Sequence, residues 1–139
     1  MKRIFLDTNV VLDYVLQRHP WHVEAQPVWE QIANGKMEGF ISAITPLNIS
    51  YIVRKSFESS IMLTLLNDLY DALEIVPLDQ TILRAGLVSP INDYEDAVNE
   101  ISAVQARVEV ILTRDINDFK KARLPVLTPG DFVNQYLLR

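Results

Sequence analysis

Apolar residues run from Ile4 to Leu6 and stop at a carboxylate, Asp7, with Thr8 and Asn9 directly behind it. The short run reads as a buried strand. Val11, Leu12, Val15 and Leu16 then recur at helical spacing, which predicts a helix over Val10 to Leu16. A second helix is predicted over Pro20 to Ala33, with Trp21, Ala25, Val28, Trp29 and Ile32 on one side and Asn34-Gly35 closing it. Gly39 to Ser42 reads as a strand.

Thr45-Pro46 has the form of an N-cap followed by a first-turn proline, and so predicts a helix continuing through Ile49, Ile52, Val53 and Phe57. From Ser60 to Leu73 the residues Ile61, Met62, Leu65, Leu66, Leu69 and Leu73 form a helical stripe, expected to be a core face without chemistry. Glu74 to Val76 is a short strand. Asp79 caps a helix to about Val88, and Ser89, Pro90 and Asn92 mark a loop. A helix opens at Asp93, and VEVILT from Val108 reads as a strand buried on both faces. Val126-Leu127 is a last strand, followed by the Thr128-Pro129 cap and a terminal helix to about Leu138.

Strands and helices therefore alternate along the chain. That order predicts an α/β fold of three layers, a doubly wound parallel sheet of about five strands with helices on both faces. The 139 residues, 49% of them hydrophobic, suit a single domain spanning 1–139, without linker or repeat. No apolar run approaches the roughly 20 residues that cross a bilayer, and the N-terminal stretch is broken too early for a signal peptide, so a cytoplasmic protein with no membrane partner is expected.

The chain has no cysteine, which removes disulfides, thiolate nucleophiles and cysteine-based zinc sites. Any metal would be held by oxygen or histidine. In open parallel sheets the functional crevice lies beyond the carboxyl ends of the strands, so Asp7 and Asp115, each just after a strand, are the first candidates. Asp93 and Asp96 share the first turn of one helix, and Asp118 stands one turn past Asp115. Each alone has a structural explanation: Asp93 as a cap, Asp96 as an acid near the helix dipole, Asp115 as a cap for a short helix through Phe119. Together they would repel one another, and a divalent cation relieves that repulsion. All-oxygen ligands suit Mg²⁺ or Mn²⁺, which points to metal-assisted phosphodiester hydrolysis.

The stretches FLDTNVVLDYV, DYEDAV, ILTRDINDF and VLTPGDFV, in this order and spacing, resemble the PIN-domain family, which includes VapC-type toxin ribonucleases. The resemblance covers nearly the whole chain. It implies a Mg²⁺- or Mn²⁺-dependent endoribonuclease acting on RNA, an antitoxin protein as a possible partner, and homodimerisation. Carried over by residue, it makes Asp7, Asp96 and Asp115 the catalytic metal-binding acids, with Asp118 as a further ligand and Asp93 as an outer member. Asn9 would orient carboxylates and water, and Thr113 matches the family's hydroxyl at the site's edge.

One position departs from the family pattern, because Asn48 stands where a glutamate is expected. It offers an oxygen without a charge, so metal affinity should fall. The alternative expectation is a weakened or inactive PIN-like regulator that binds RNA or protein. Arg54, Lys55, Arg114 and Lys120, with Lys121 and Arg123, are candidate phosphate contacts despite a net charge of −5. A phosphatase of the haloacid-dehalogenase type would also begin with an acid after the first strand, but it usually needs a second aspartate where Asn9 stands. His19 and His22 have metal-pair spacing without an acidic companion in sequence.

Overall fold

A computed structural model describes residues 2–138 of the chain. Five strands, β1 (Lys2–Leu6), β2 (Met37–Ser42), β3 (Leu73–Val76), β4 (Val110–Leu112) and β5 (Val126–Leu127), form one sheet in the order β3-β2-β1-β4-β5. Every pairing is parallel. The sheet grows outward from β1 in one direction through β2 and β3, and in the other through β4 and β5. The chain therefore reverses its winding between β1 and β4, and a crevice opens there beyond their carboxyl ends.

Side-chain alternation splits the core in two. Ile4, Leu6, Ile41, Val110 and Leu112 face one cluster, and Phe5, Phe40 and Ile111 face the other. The first cluster is closed by α1 (Thr8–Val15), α2 (Trp21–Ala33), α3 (Ile44–Val53), α4 (Ser59–Ala72) and α7 (Pro129–Phe132). The second is closed by α6 (Tyr94–Gln105), with α5 (Gln80–Leu87) packed against α6. This is the three-layer architecture that the alternating order predicts.

Gly86 sets the close approach of α5 to α6. A Cβ there would lie 2.9 Å from both the Tyr94 ring and Val98, so only glycine permits this packing. Tyr94 also donates its hydroxyl to the Leu83 carbonyl at 2.8 Å. Both contacts fix the first turn of α6, from which the late acids project. Among the described residues no helix is long and apolar enough to cross a membrane.

Three helices differ from the sequence reading. Thr45 does not cap α3; the helix begins at Ile44, and Thr45 is buried in its first turn, its hydroxyl paired with that of Thr8 at 2.9 Å. That bond between α1 and α3 outweighs the capping role, and α3 ends at Val53 rather than Phe57. The α4 stripe is a core face only in part: Leu69 is buried, whereas Ile61 is 42% exposed. Dimensions explain this. A helix of 14 residues is about 21 Å long, and the four-residue edge strand β3 spans only about 13 Å, so the first turns of α4 overhang the sheet. At the C-terminus, α7 runs into a wider π-type turn over Val133–Leu137.

Candidate active site

The register of β1 on β4 pairs Leu6 with Leu112, so the next residues, Asp7 and Thr113, emerge side by side at the crevice. The Asp7 amide donates to the Leu112 carbonyl at 2.9 Å. The residue is only 6% exposed, and its carboxylate accepts three hydrogen bonds: from the Thr8 amide at 2.9 Å, from Asn99 Nδ2 at 3.2 Å and from Thr113 Oγ1 at 2.8 Å. Burial pushes the Asp7 carboxyl above its ordinary range, the bonds from Thr113 and Thr8 pull it down, and the charges of Asp115 and Glu95 push it up again. A strand that ends on a carboxylate is thus tolerated because the carboxylate caps α1 and is held from beneath.

Thr113 is fully buried behind Asp7 rather than at the site's edge, and it also accepts from the Asp115 amide at 3.0 Å. Asp115 precedes a tight helical turn over Ile116–Phe119 but makes no capping bond with its side chain. Its carboxylate instead accepts Asn9 Nδ2 at 3.0 Å, while Asn9 Oδ1 faces the Arg114 amide at 3.4 Å. Asn9 therefore fixes the position of a carboxylate.

On α6, Asp93 is the cap, accepting from the Asp96 amide at 2.9 Å. Asp96 is released from that duty. Its carboxyl is pushed up to about 7, first by burial and then by the charges of Asp7, Asp93, Asp118 and Glu95. Asp7, Asn9, Asn48, Asp93, Asp96 and Asp115 line one open cavity of about 400 Å³. Asp118 lies outside it, in a neighbouring cavity of about 250 Å³ that also takes in Asp93, Lys120 and Lys121.

Two participants escaped the sequence reading. Glu95 lines the acidic cavity, and its Oε1 accepts Asn48 Nδ2 at 2.8 Å. Asn99, one turn after Asp96, is buried against Asp7, and among the described residues its Oδ1 has no hydrogen-bond partner. A polar residue one turn from a candidate acid, in a helix that must face the sheet, was a usable signal for Asn99. An acid in a first helical turn is ordinary, so Glu95 carried none.

The basic candidates divide. Arg54 and Lys55 both sit over the Tyr51 ring, 4.6 and 4.4 Å from its centroid, and Tyr51 lines the cavity. Arg114 is committed elsewhere: its Nε lies 2.6 Å from buried Asp13 and its guanidinium packs on Trp21 at 4.0 Å. The carboxylate of Asp13, which also holds Arg18 at 3.1 Å, keeps Arg114 from the crevice. Arg123 is bound in bidentate fashion by Glu100. The rings of His19 and His22 lie 4.8 Å apart, and neither lines the acidic cavity.

The donor chemistry of the cavity is that of a hard-cation site. Five carboxylates, Asp7, Asp93, Glu95, Asp96 and Asp115, face one space. Among the described residues, none of the salt bridges reaches Asp7, Asp96 or Asp115. The side chains do not converge as a ready-made ligand set among the described residues.

A parallel α/β sheet with acids gathered at its topological switch point defines a class of crevice proteins in which the strand ends supply the chemistry. The chain belongs to the PIN-domain family, whose model matches residues 3–117. It is similar in structure to a chain of VapBC2 from Rickettsia felis bound to a promoter DNA fragment, with TM-score 0.66 and 21% identity over 91% of this chain and 98% of that one. It is similar also to a chain of FitAB bound to the IR36 DNA fragment, with TM-score 0.72 and 18% identity over 91% and 95%. VapBC-1 from nontypeable Haemophilus influenzae gives TM-score 0.66 and 17% identity over 91% and 98%. No curated protein matches in sequence.

Proposed function

We propose that the protein is a metal-dependent endoribonuclease, a single domain over 1–139, in which Asp7, Asp96 and Asp115 hold Mg²⁺ or Mn²⁺. The observation that carries this reading is the gathering of five carboxylates in one cavity at the β1–β4 switch point. Family membership supports it, since PIN domains generally use divalent ions. A bound divalent cation supplies an activated water and neutralises charge growing on the phosphoryl group. The chain's own residues prepare the setting. Thr113 and Asn99 hold Asp7 in place, and Asn9 fixes Asp115. Asp118 belongs to an outer ring of charge that acts on Asp96 through space.

Arg54 and Lys55 on one rim, and Lys120 on the other, are read as contacts for the RNA backbone. Arg114 is left out of that set because Asp13 holds it. The proposed setting is a cytoplasmic toxin with an antitoxin partner, supported by the likeness to VapBC and FitAB complexes. The exposed Leu47, Ile61 and Leu63 offer apolar surface for such a partner or for a homodimer.

A second reading is favoured by Asn48, where the family pattern has a glutamate: a regulator that keeps the RNA groove without cleaving. One experiment separates the two. Wild type and Asp96→Asn are incubated with a mixed-sequence RNA in Mn²⁺ or in chelator, beside a metal-free RNA-binding assay. Cleavage by wild type in Mn²⁺ alone, lost in Asp96→Asn, is the expected result. RNA binding without cleavage in any metal would establish the regulator, and neither binding nor cleavage would overturn both.

A further inference from the structure

The departure at Asn48 has a counterpart across the cavity. Asn48 lies one turn past Thr45 on α3, and the bond between Thr45 and Thr8 ties that turn to the start of α1, beside Asp7. Glu95 lies on the opposite wall, in the first turn of α6. A glutamate at that point of a helix ordinarily extends into water over the helix N-terminus. Here it turns across the cavity and accepts the Asn48 amide at 2.8 Å. Among the described residues Asn48 engages Oε1, and Glu95 lines the same cavity as Asp7, Asp96 and Asp115.

We propose that Glu95 supplies the anionic metal-binding oxygen that α3 lacks, and that Asn48 holds it over the cavity. The fourth carboxylate has changed helices rather than disappeared. The two residues are matched: a glutamate at position 48 would bring a second carboxylate against Glu95 at hydrogen-bonding distance, whereas an amide donates to it. Glu95 is electrostatically part of the cluster as well, because its charge raises the carboxyls of both Asp7 and Asp96. This inference rests on the reading of the cavity as a metal site, and its test keeps the two apart.

The rival account is a mechanical one, in which the Asn48–Glu95 bond merely clasps α3 to α6. Glu95→Gln separates clasp from charge, since the glutamine oxygen still accepts from Asn48 while the negative charge is gone. Asn48→Ala does the reverse. Calorimetric Mn²⁺ titration of the metal-free chain is carried out on wild type, Glu95→Gln, Asn48→Ala, Asp96→Asn and the exchanged pair Asn48→Glu/Glu95→Gln, with the fold of each checked by circular dichroism.

Glu95→Gln should weaken Mn²⁺ binding by about ten-fold, as expected for loss of one charged oxygen ligand. Asn48→Ala should weaken it by only a few-fold, and the exchanged pair should recover most of the wild-type affinity. Wild-type affinity in Glu95→Gln, beside lost binding in Asp96→Asn, would overturn the role of Glu95 and leave the metal site standing. Absence of Mn²⁺ binding by the wild type would overturn both.

Discussion

Asn9 and Asp115, 106 residues apart in the chain, are joined at 3.0 Å across the crevice between β1 and β4. The bond fixes a carboxylate that otherwise has only an exposed turn behind it. Asn9→Ala should therefore keep the fold, with a stability loss of no more than about 1 kcal/mol because the pair is solvent-exposed, yet weaken Mn²⁺ binding several-fold. Urea denaturation and calorimetry check the two parts. A large stability loss with unchanged Mn²⁺ affinity would make Asn9 a structural residue only.

Thr113 presents the opposite case, a buried donor to a buried acid at 2.8 Å. Thr113→Val keeps the shape but leaves Asp7 with one fewer hydrogen bond and the Asp115 amide without its acceptor. A loss of about 2–3 kcal/mol is expected at high pH, and less at low pH, because the charged form of Asp7, already raised by burial, depends most on the donor. Thr113→Ser should restore most of it. Equal losses at the two pH values would show that the hydroxyl does not act through the charge of Asp7.

The raised Asp96 carboxyl fixes the sign of a pH effect. Its folded value of about 7 stands above the ordinary 3.8, so between these values the folded chain holds a proton that the unfolded chain has released. The stability this confers is complete below pH 4 and is lost as pH rises through 7. Asp7, raised mainly by burial, acts in the same direction. Metal-free wild type should thus weaken between pH 5 and pH 8, with a shallower slope for Asp96→Asn. At pH 8 that variant should be the more stable by about 1 kcal/mol, a modest figure because Asp96 is partly solvated. A less stable Asp96→Asn would mean that the side chain supports the helix start, a duty the structure gives to Asp93.

Mn²⁺ should raise the melting temperature at pH 8, since a ligand of the folded state alone stabilises it by mass action. The shift should shrink in Glu95→Gln and vanish in Asp96→Asn. No shift in wild type at millimolar Mn²⁺ would favour the regulator.

The sequence pattern carried the element order, and with it the sheet, because each strand contains a short apolar run and most helices carry an apolar stripe. Asp7 and Asp115 were legible as residues just past strands, a position that topology alone makes functional in parallel sheets. The misplacements have physical reasons. Thr45 has the chemistry of a cap, but its pairing with Thr8 is a contact between distant segments that no local pattern encodes. Arg114 reads as a free cation because its partner, Asp13, lies far away in sequence, on α1, where it reads as one more polar residue. Glu95 was hidden for the same reason: its meaning lies in Asn48, 47 positions away.

The central claim, that Asp7, Asp96 and Asp115 share one divalent cation, is tested most directly by an anomalous difference map from a crystal soaked in Mn²⁺. The account predicts one strong peak in the acidic cavity, roughly 2.0–2.5 Å from carboxylate oxygens of these residues, with the side chains drawn inward around it. No peak there, or a peak only beside Asp118 or between His19 and His22, would contradict it.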